Sequence, residues 1–330
     1  MKNINWSKYS KPIILLAFIL VLTILRPSTF LTVSNIANVL WSVSVIGIMV
    51  CGTIFVFLIG GIDLSIATLC GFCAVVTVEV ITYFHNSTTG VFVPILAAIA
   101  VGALAGCLHG VIITRFHIPA FLVTFATQSI FLGLSMIVTG NKIVSCTKPA
   151  AFTAIGAKKI LGFPLPIYFM IIIAAIAWYV LRKTEFGRYI YAVGGNATAA
   201  EISGINVRRT SVVCYMLSGI TTAIGGVILA SMTQQAMAST GSGYTNDVIT
   251  AGVIGGVSLL GGEGTVLGAM FGAVLMGLLN NGLNLMSVPS THAGLVKGLV
   301  IIVAVGFDAI QHSDQSRKKV KKVVKKEAKG

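Results

Sequence analysis

Long apolar stretches separated by short polar interruptions dominate this 330-residue chain. Read as helices, they fall near 12–30, 38–59, 64–84, 91–113, 119–139, 164–182, 210–231, 246–261, 264–284 and 293–311. A helix needs ~20 residues to cross a hydrocarbon core of ~30 Å with every backbone polar group satisfied inside the segment. The second and third stretches are parted by little more than GGIDLS, the eighth and ninth by GGEG. One interruption differs in kind. From Thr184 to Arg209 the chain reads TEFGRYIYAVGGNATAAEISGINVRR, flanked on both sides by apolar spans. Helix–helix connections usually take roughly 2–8 residues, so this stretch predicts a water-exposed loop on which another protein acts.

Composition turns the pattern into a class. Hydrophobic residues make up 56% of the chain and charged residues 10%, against the ~25% charged that is typical of soluble domains. The expectation is an all-α integral membrane protein, a polytopic helical bundle of about ten transmembrane helices. Residues 1–311 read as a single transmembrane domain and 312–330 as a basic tail. The net charge of +14 does not point to nucleic acid, because eight of the 23 basic residues follow residue 316. A basic tail beside a final span suits a cytoplasmic membrane face.

Charge also orients the bundle. With ten spans both termini share a side, together with the loops at 60–65, 114–118, 183–209 and 262–264. That side carries 17 Lys and Arg against 6 on the other, or 9 against 6 without the tail, which places both termini in the cytoplasm. On the opposite face the 24-residue segment 140–163 is the largest loop and the expected external docking surface. Arg26-Pro27 follows the apolar run from Ile13 to Leu25 where a signal would have a small-residue cleavage site, so the first helix is expected to be retained.

Candidate chemistry is sparse. Ionisable residues in the middle of a span mark ion or proton routes, and here the middles are nearly empty. Asp63 and Glu263 fall at turns, Asp247 and Lys297 near outer ends, Asp308 at the end of the last helix, and Glu79 nearer an outer end than a centre. Energy for uphill transport must then come from another polypeptide. The chain lacks a G-x-x-x-x-G-K-[ST] phosphate loop, and the glycine-rich run at 255–273 has no lysine. Its Gly264, Gly268 and Gly272 recur every four residues and predict a close helix contact. Neither H-E-x-x-H nor G-x-S-x-G occurs, so the chain is expected to have no catalytic or metal-binding residues. Cys70 and Cys73 form a C-x-x-C inside an apolar run and read as packing, as do Cys51, Cys107, Cys146 and Cys214.

Neutral polar residues inside spans carry more information. Thr124, Thr127, Gln128 and Ser129 sit in the fifth stretch, and Asn280, Asn281 and Asn284 end the ninth. Such groups can hydrogen-bond an uncharged polyol along a translocation pathway. They can equally bond between helices, at about 0.6–2 kcal/mol each. Both readings stay open. In the 184–209 loop, Thr198 and Glu201 have capping-box spacing, Asn196 is a rival N-cap, and Gly204 can end a short helix by taking positive φ. There is also an internal echo: LIGGIDLSIATLCG (58–71) and LLGGEGTVLGAMFG (259–272) share a glycine pair, a following acid and a later glycine.

Five segments together resemble a known family. GGIDLS (60–65), IPAFLVTFATQSIFLGLSMIVTG (118–140), GRYIYAVGGNATAAEISGIN (187–206), GGVSLLGGEGTVLGAMFGA (255–273) and GLLNNGLNL (277–285) stand in the order found in the ribose-type permease family of ATP-binding cassette (ABC) importers. The resemblance implies a multi-pass subunit of a bacterial cell membrane that imports a monosaccharide or similar small polar solute. It implies cytoplasmic ABC ATPase subunits, an extracytoplasmic sugar-binding protein and a second permease copy as partners. ATP and Mg would be bound by the ATPase, with no cofactor in this chain. Gly194, Gly195, Asn196, Ala199, Ala200, Ser203 and Gly204 would form the cytoplasmic coupling helix. The alternative is an ATP-independent sugar facilitator or secondary transporter.

Overall fold

The computed structural model describes residues 6–84, 91–146, 149–289, 292–300 and 302. The basic tail and the second half of the last expected helix lie outside the described residues. The helices run α1 (Trp6–Leu25), α2 (Val33–Leu58), α3 (Ile66–Tyr83), α4 (Phe92–Phe116), α5 (Ala120–Thr139), α6 (Ala150–Ala157), α7 (Leu165–Lys183), α8 (Glu185–Gly195), α9 (Ala197–Ile202), α10 (Val207–Thr233), α11 (Tyr244–Ile254) and α12 (Val266–Leu285). Residues 292–300 are also helical. Among the described residues, α2, α3, α4, α5, α7, α10 and α12 are long and apolar enough to cross a membrane. Sheet is confined there to two antiparallel pairs, β1 (Val144–Ser145) with β4 (Gln235–Ala236) and β2 (Lys159–Ile160) with β3 (Phe163–Pro164). The protein is an all-α membrane bundle.

α2 is its axis. Its sequence is apolar on every side, and a helix of that kind belongs inside a bundle; every residue from Val43 to Leu58 is buried. α10 packs on α2, α3 and α4, α12 on α2 and α11, and α7 on α2. α5 sits at the periphery against α3 and turns Phe121, Phe125 and Ile137 outward, as a helix facing lipid would.

The expected full span at 246–261 is not one helix. α11 stops at Ile254 after 11 residues, about 16 Å at 1.5 Å per residue and so about half the hydrocarbon thickness. Residues 255–265 complete the passage as irregular backbone, with Gly256, Gly261 and Gly262 at φ 79°, 92° and 77°. Apolar content alone cannot distinguish this from a helix. Non-helical backbone at membrane depth survives where protein surrounds it, and α12 supplies that cover: a Cβ on Gly268 would stand 2.3 Å from Gly255 O, and one on Gly272 1.8 Å from Ala251 O. The helix contact expected of the glycine series is thus made by Gly268 and Gly272, while Gly264 lies before the helix. The first span also ends earlier than expected, at Leu25.

The large loop at 140–163 is partly folded back onto the bundle. α6 lies against the end of α10, where Ser231 Oγ accepts from Gly156 N (2.8 Å) and donates to Phe152 O (2.6 Å). Phe152 is fully buried.

Candidate functional site

Two places in the bundle gather polar or backbone groups that packing alone does not require. They lie at opposite ends of α10.

The first is built around α8 and α9. Thr184 caps α8 by accepting from Gly187 N (3.2 Å). α8 is amphipathic, turning Ile190 and Val193 inward and leaving Glu185 and Arg188 exposed. Asn196 then caps α9, its Oδ1 accepting from Ala199 N (2.9 Å). The Thr198–Glu201 capping box is not formed, because α9 already begins at Ala197. Gly204 ends the element at φ 86°. The 184–209 stretch is therefore two short helices where one was expected. Within it Ala200 is buried and Gly194 half-buried, whereas Gly195, Asn196, Ala199, Ser203 and Gly204 are exposed. Ile202 projects beside them at 84% exposure, an apolar group set in a polar surface.

Beneath that surface three backbone segments meet. Gly262 N donates to Leu58 O (2.9 Å), joining the end of α2 to the corner before α12. The end of α8 is seated on this junction. A Cβ on Gly194 would fall 1.8 Å from Leu58 O and 2.5 Å from Gly262 N. Tyr191 Oη donates to Gly264 O (2.8 Å). Burial raises the Tyr191 phenol above the ordinary tyrosine range, so it remains a donor at neutral pH. The echoing segments 58–71 and 259–272 are thus neighbours in space, two glycine corners side by side under α8. Their acids differ: Glu263 is exposed, whereas Asp63 is buried. Asp63 Oδ1 accepts from Ser65 N (2.9 Å) and Ser65 Oγ (2.7 Å), and Oδ2 from Ser218 Oγ (3.3 Å), which stitches the first corner to α10.

The second place is a cavity of about 660 Å³ at the far end of α10. Its walls are Thr233, the 235–243 loop, the start of α11, Asn280 and Asn284 of α12, and Lys297. Asp247 occupies the first turn of α11, where the helix dipole favours a negative charge. Lys297 Nζ lies 2.9 Å from its Oδ1 and 3.1 Å from its Oδ2, and Asn280 Nδ2 donates to Oδ2 (2.9 Å). The cavity wall is rich in amides and hydroxyls, and its one acid–base pair is internally compensated.

The six residues singled out for a pathway do not meet. Asn280 and Asn284 face the cavity. Asn281 instead exchanges two hydrogen bonds with Asn35 of α2, at 3.0 and 2.7 Å. Thr124 and Thr127 lie near the α8 end, where Thr124 Oγ1 donates to Ala120 O (2.9 Å) and approaches Ile62 O (3.4 Å). Thr127 Oγ1 is 2.8 Å from His109 Nε2. Gln128 is half-buried beside them on α5, and Ser129 is exposed. His109 carries no signal in the sequence beyond a lone imidazole in an apolar span. Asp247 and Lys297 read in the sequence only as span ends, since nothing local joins residues 50 positions apart.

Comparison with known proteins agrees with this architecture. Residues 35–305 match the family described as branched-chain amino acid transport system / permease component. The chain is 37% identical over 299 residues to the ribose import permease protein RbsC of Haemophilus influenzae, covering 90% of this chain and 91% of that protein. It is 39% identical over 298 residues to RbsC of Bacillus subtilis, covering 89% and 90%. With the L-arabinose ABC transporter permease protein AraH of Azospirillum brasilense the identity is 32% over 317 residues, covering 96% and 92%. No solved structure gives a significant match. The chain belongs to this permease family.

Proposed function

We propose, for this member of the permease family, that it forms the translocation pathway of an ABC importer for a monosaccharide. ATPase subunits would dock on α8 and α9, and a binding protein would deliver solute at the cavity end. A second permease copy would complete the pathway. Ribose, L-arabinose and D-allose appear in the names of its relatives, and all three are uncharged polyols. The cavity suits that chemistry, since amides, hydroxyls and a compensated ion pair can bond hydroxyls without requiring charge.

The observation that carries the reading is the seat of Gly194 between Leu58 O and Gly262 N. A push on α8–α9 reaches the ends of two helical pairs, α2–α3 and α11–α12, through backbone contacts with no flexible side chain between. α2 runs from this junction toward the other end of the bundle, and α12 runs from it to Asn280 and Asn284 on the cavity wall. Closure of the ATPase dimer on ATP would thus tilt the rods that border the solute cavity. The permease breaks no bond itself; ATP and Mg belong to the ATPase. With α8–α9 toward the ATPase, the termini are cytoplasmic, in keeping with the excess of Lys and Arg on that side.

The test is a mild-detergent purification of the tagged permease with assay of co-purifying ATP hydrolysis. A stoichiometric cassette ATPase that is lost when residues 194–204 are altered is the expected result. A permease that purifies alone, yet moves sugar into liposomes without ATP, would replace this reading with a facilitator.

A further inference from the structure

The Asp247–Lys297 pair is out of keeping with its surroundings. Among the described residues the only other ion pair is Arg188–Glu185, on the exposed face of α8. Asp247 is 4% exposed at its side chain and Lys297 20%, so both are largely stripped of water. An enclosed ion pair loses much of its Coulombic gain to desolvation, and apolar side chains of equal volume would hold two helices together as well. A purely structural role therefore explains the pair poorly. Its position offers another. Both residues, with Asn280, stand on the wall of the 660 Å³ cavity, a volume within the usual range of about 300–1,000 Å³ for small-molecule sites.

We propose that Asp247, Lys297 and Asn280 form a binding subsite of the permease itself for a polyol bearing vicinal hydroxyls; this rests on the importer reading above. The carboxylate offers two acceptor oxygens side by side in its own plane, a match for two neighbouring O–H donors. Lys297 and the Asn280 amide, now donating to Asp247, turn to the solute's ring and hydroxyl oxygens. The ion pair opens to admit solute and re-forms once it has left. Neither charged group is left without hydrogen bonds at either stage, because the solute's hydroxyls replace those that the two side chains lose. Since the subsite is neutral overall, it disfavours sugar phosphates and sugar acids: an anion that paired with Lys297 would leave the Asp247 carboxylate without a counter-charge. Asn284 and Asn246 line the same wall and can bond the remaining hydroxyls.

The experiment uses the full-length permease in lipid nanodiscs, without ATPase or binding protein, and equilibrium binding of radiolabelled D-ribose, L-arabinose and D-allose. Wild type is expected to bind at least one of the three saturably, and to bind the corresponding deoxy sugar, lacking one vicinal hydroxyl, more weakly. Asp247→Asn and Lys297→Met are each expected to weaken binding roughly tenfold or more, the effect of losing a charge-assisted hydrogen bond. Asn284→Ala, which leaves the ion pair intact, is expected to weaken it less. Thermal melting of each variant separates loss of the fold from loss of the subsite. No saturable binding by wild type, or undiminished binding by folded Asp247→Asn, would overturn the proposal. A cassette ATPase that still depends on residues 194–204 would in that case leave the importer reading standing. Absence of that ATPase would remove the importer reading whatever the sugars do.

Discussion

The two ends of the bundle are joined by different materials. Under α8 the closest contacts are backbone on backbone: Gly194 against Leu58 and Gly262, with one hydrogen bond between the two corners at 2.9 Å. At the cavity end they are side chain on side chain: Asp247 with Lys297 and Asn280, and Asn35 with Asn281. A backbone junction has no rotamers to yield, so a displacement on one side appears on the other. A side-chain junction can release one partner and take another, which is what a wall that greets a passing solute needs. The same polypeptide thus places stiffness where force would enter and exchangeable bonds where solute would pass.

The comparison can be broken most severely at Gly194. Gly194→Val forces a branched side chain into backbone atoms that cannot turn aside, and is expected to destabilise the junction by about 3 kcal/mol. ATP-driven uptake in proteoliposomes should be abolished. Retention of wild-type uptake would mean that α8 does not bear on the corners.

Asn281→Leu sharpens the contrast from the other end. It leaves Asn35 buried with both of its bonds to Asn281 gone and only the one to Phe30 O kept, at an expected cost of about 2 kcal/mol in thermal unfolding. The double variant Asn35→Leu/Asn281→Leu should recover part of that loss, since removing both polar partners avoids the orphaned group. No second substitution of a side chain should recover Gly194→Val. If the double Leu variant is no better than the single one, the exchangeable character assigned to this end is wrong.

Gly204→Val has a smaller effect, because the site is open and only the backbone objects. At φ 86° a β-branched residue costs about 1–2 kcal/mol. The end of α9 should fray, and ATP hydrolysis should run on with less transport per ATP. Tyr191→Phe is the mildest. It deletes the hydroxyl bonded to Gly264 O, worth about 1 kcal/mol, and should lower uptake slightly while leaving ATPase co-purification intact. An effect as large as that of Gly194→Val would shift the weight of the junction from backbone to side chain.

Much of this architecture is legible in the chain before any packing is known. α2, α5, α7 and α12 fall where apolar runs of spanning length predict them, because a membrane helix satisfies its hydrogen bonds within its own segment. The structured character of 184–209 is legible from its length, and the end of α9 from Gly204. α8 is not legible in the sequence: its EFGRYIYAVGG is polar enough to pass for loop, and its inward face shows only in the burial of Ile190 and Val193. The break at Ile254 is hidden for the opposite reason, since 255–261 is as apolar as the helix before it. The pathway residues show the limit most clearly. Asn280, Asn281 and Asn284 look equivalent on paper, yet two face a cavity and one faces Asn35.

By itself, then, the sequence determined the membrane class, most of the spans, the glycine end of α9 and the presence of a special loop. Each of these depends on hydrophobicity and propensity over a few turns of one helix. Only the tertiary structure decided that residues 58, 194 and 262 form one junction, that Asp247 pairs with Lys297, and that Asn281 is turned toward Asn35 rather than the cavity. These depend on how whole helices cross. A rotation of one residue position about an α-helix, about 100°, exchanges cavity for partner without changing the local pattern.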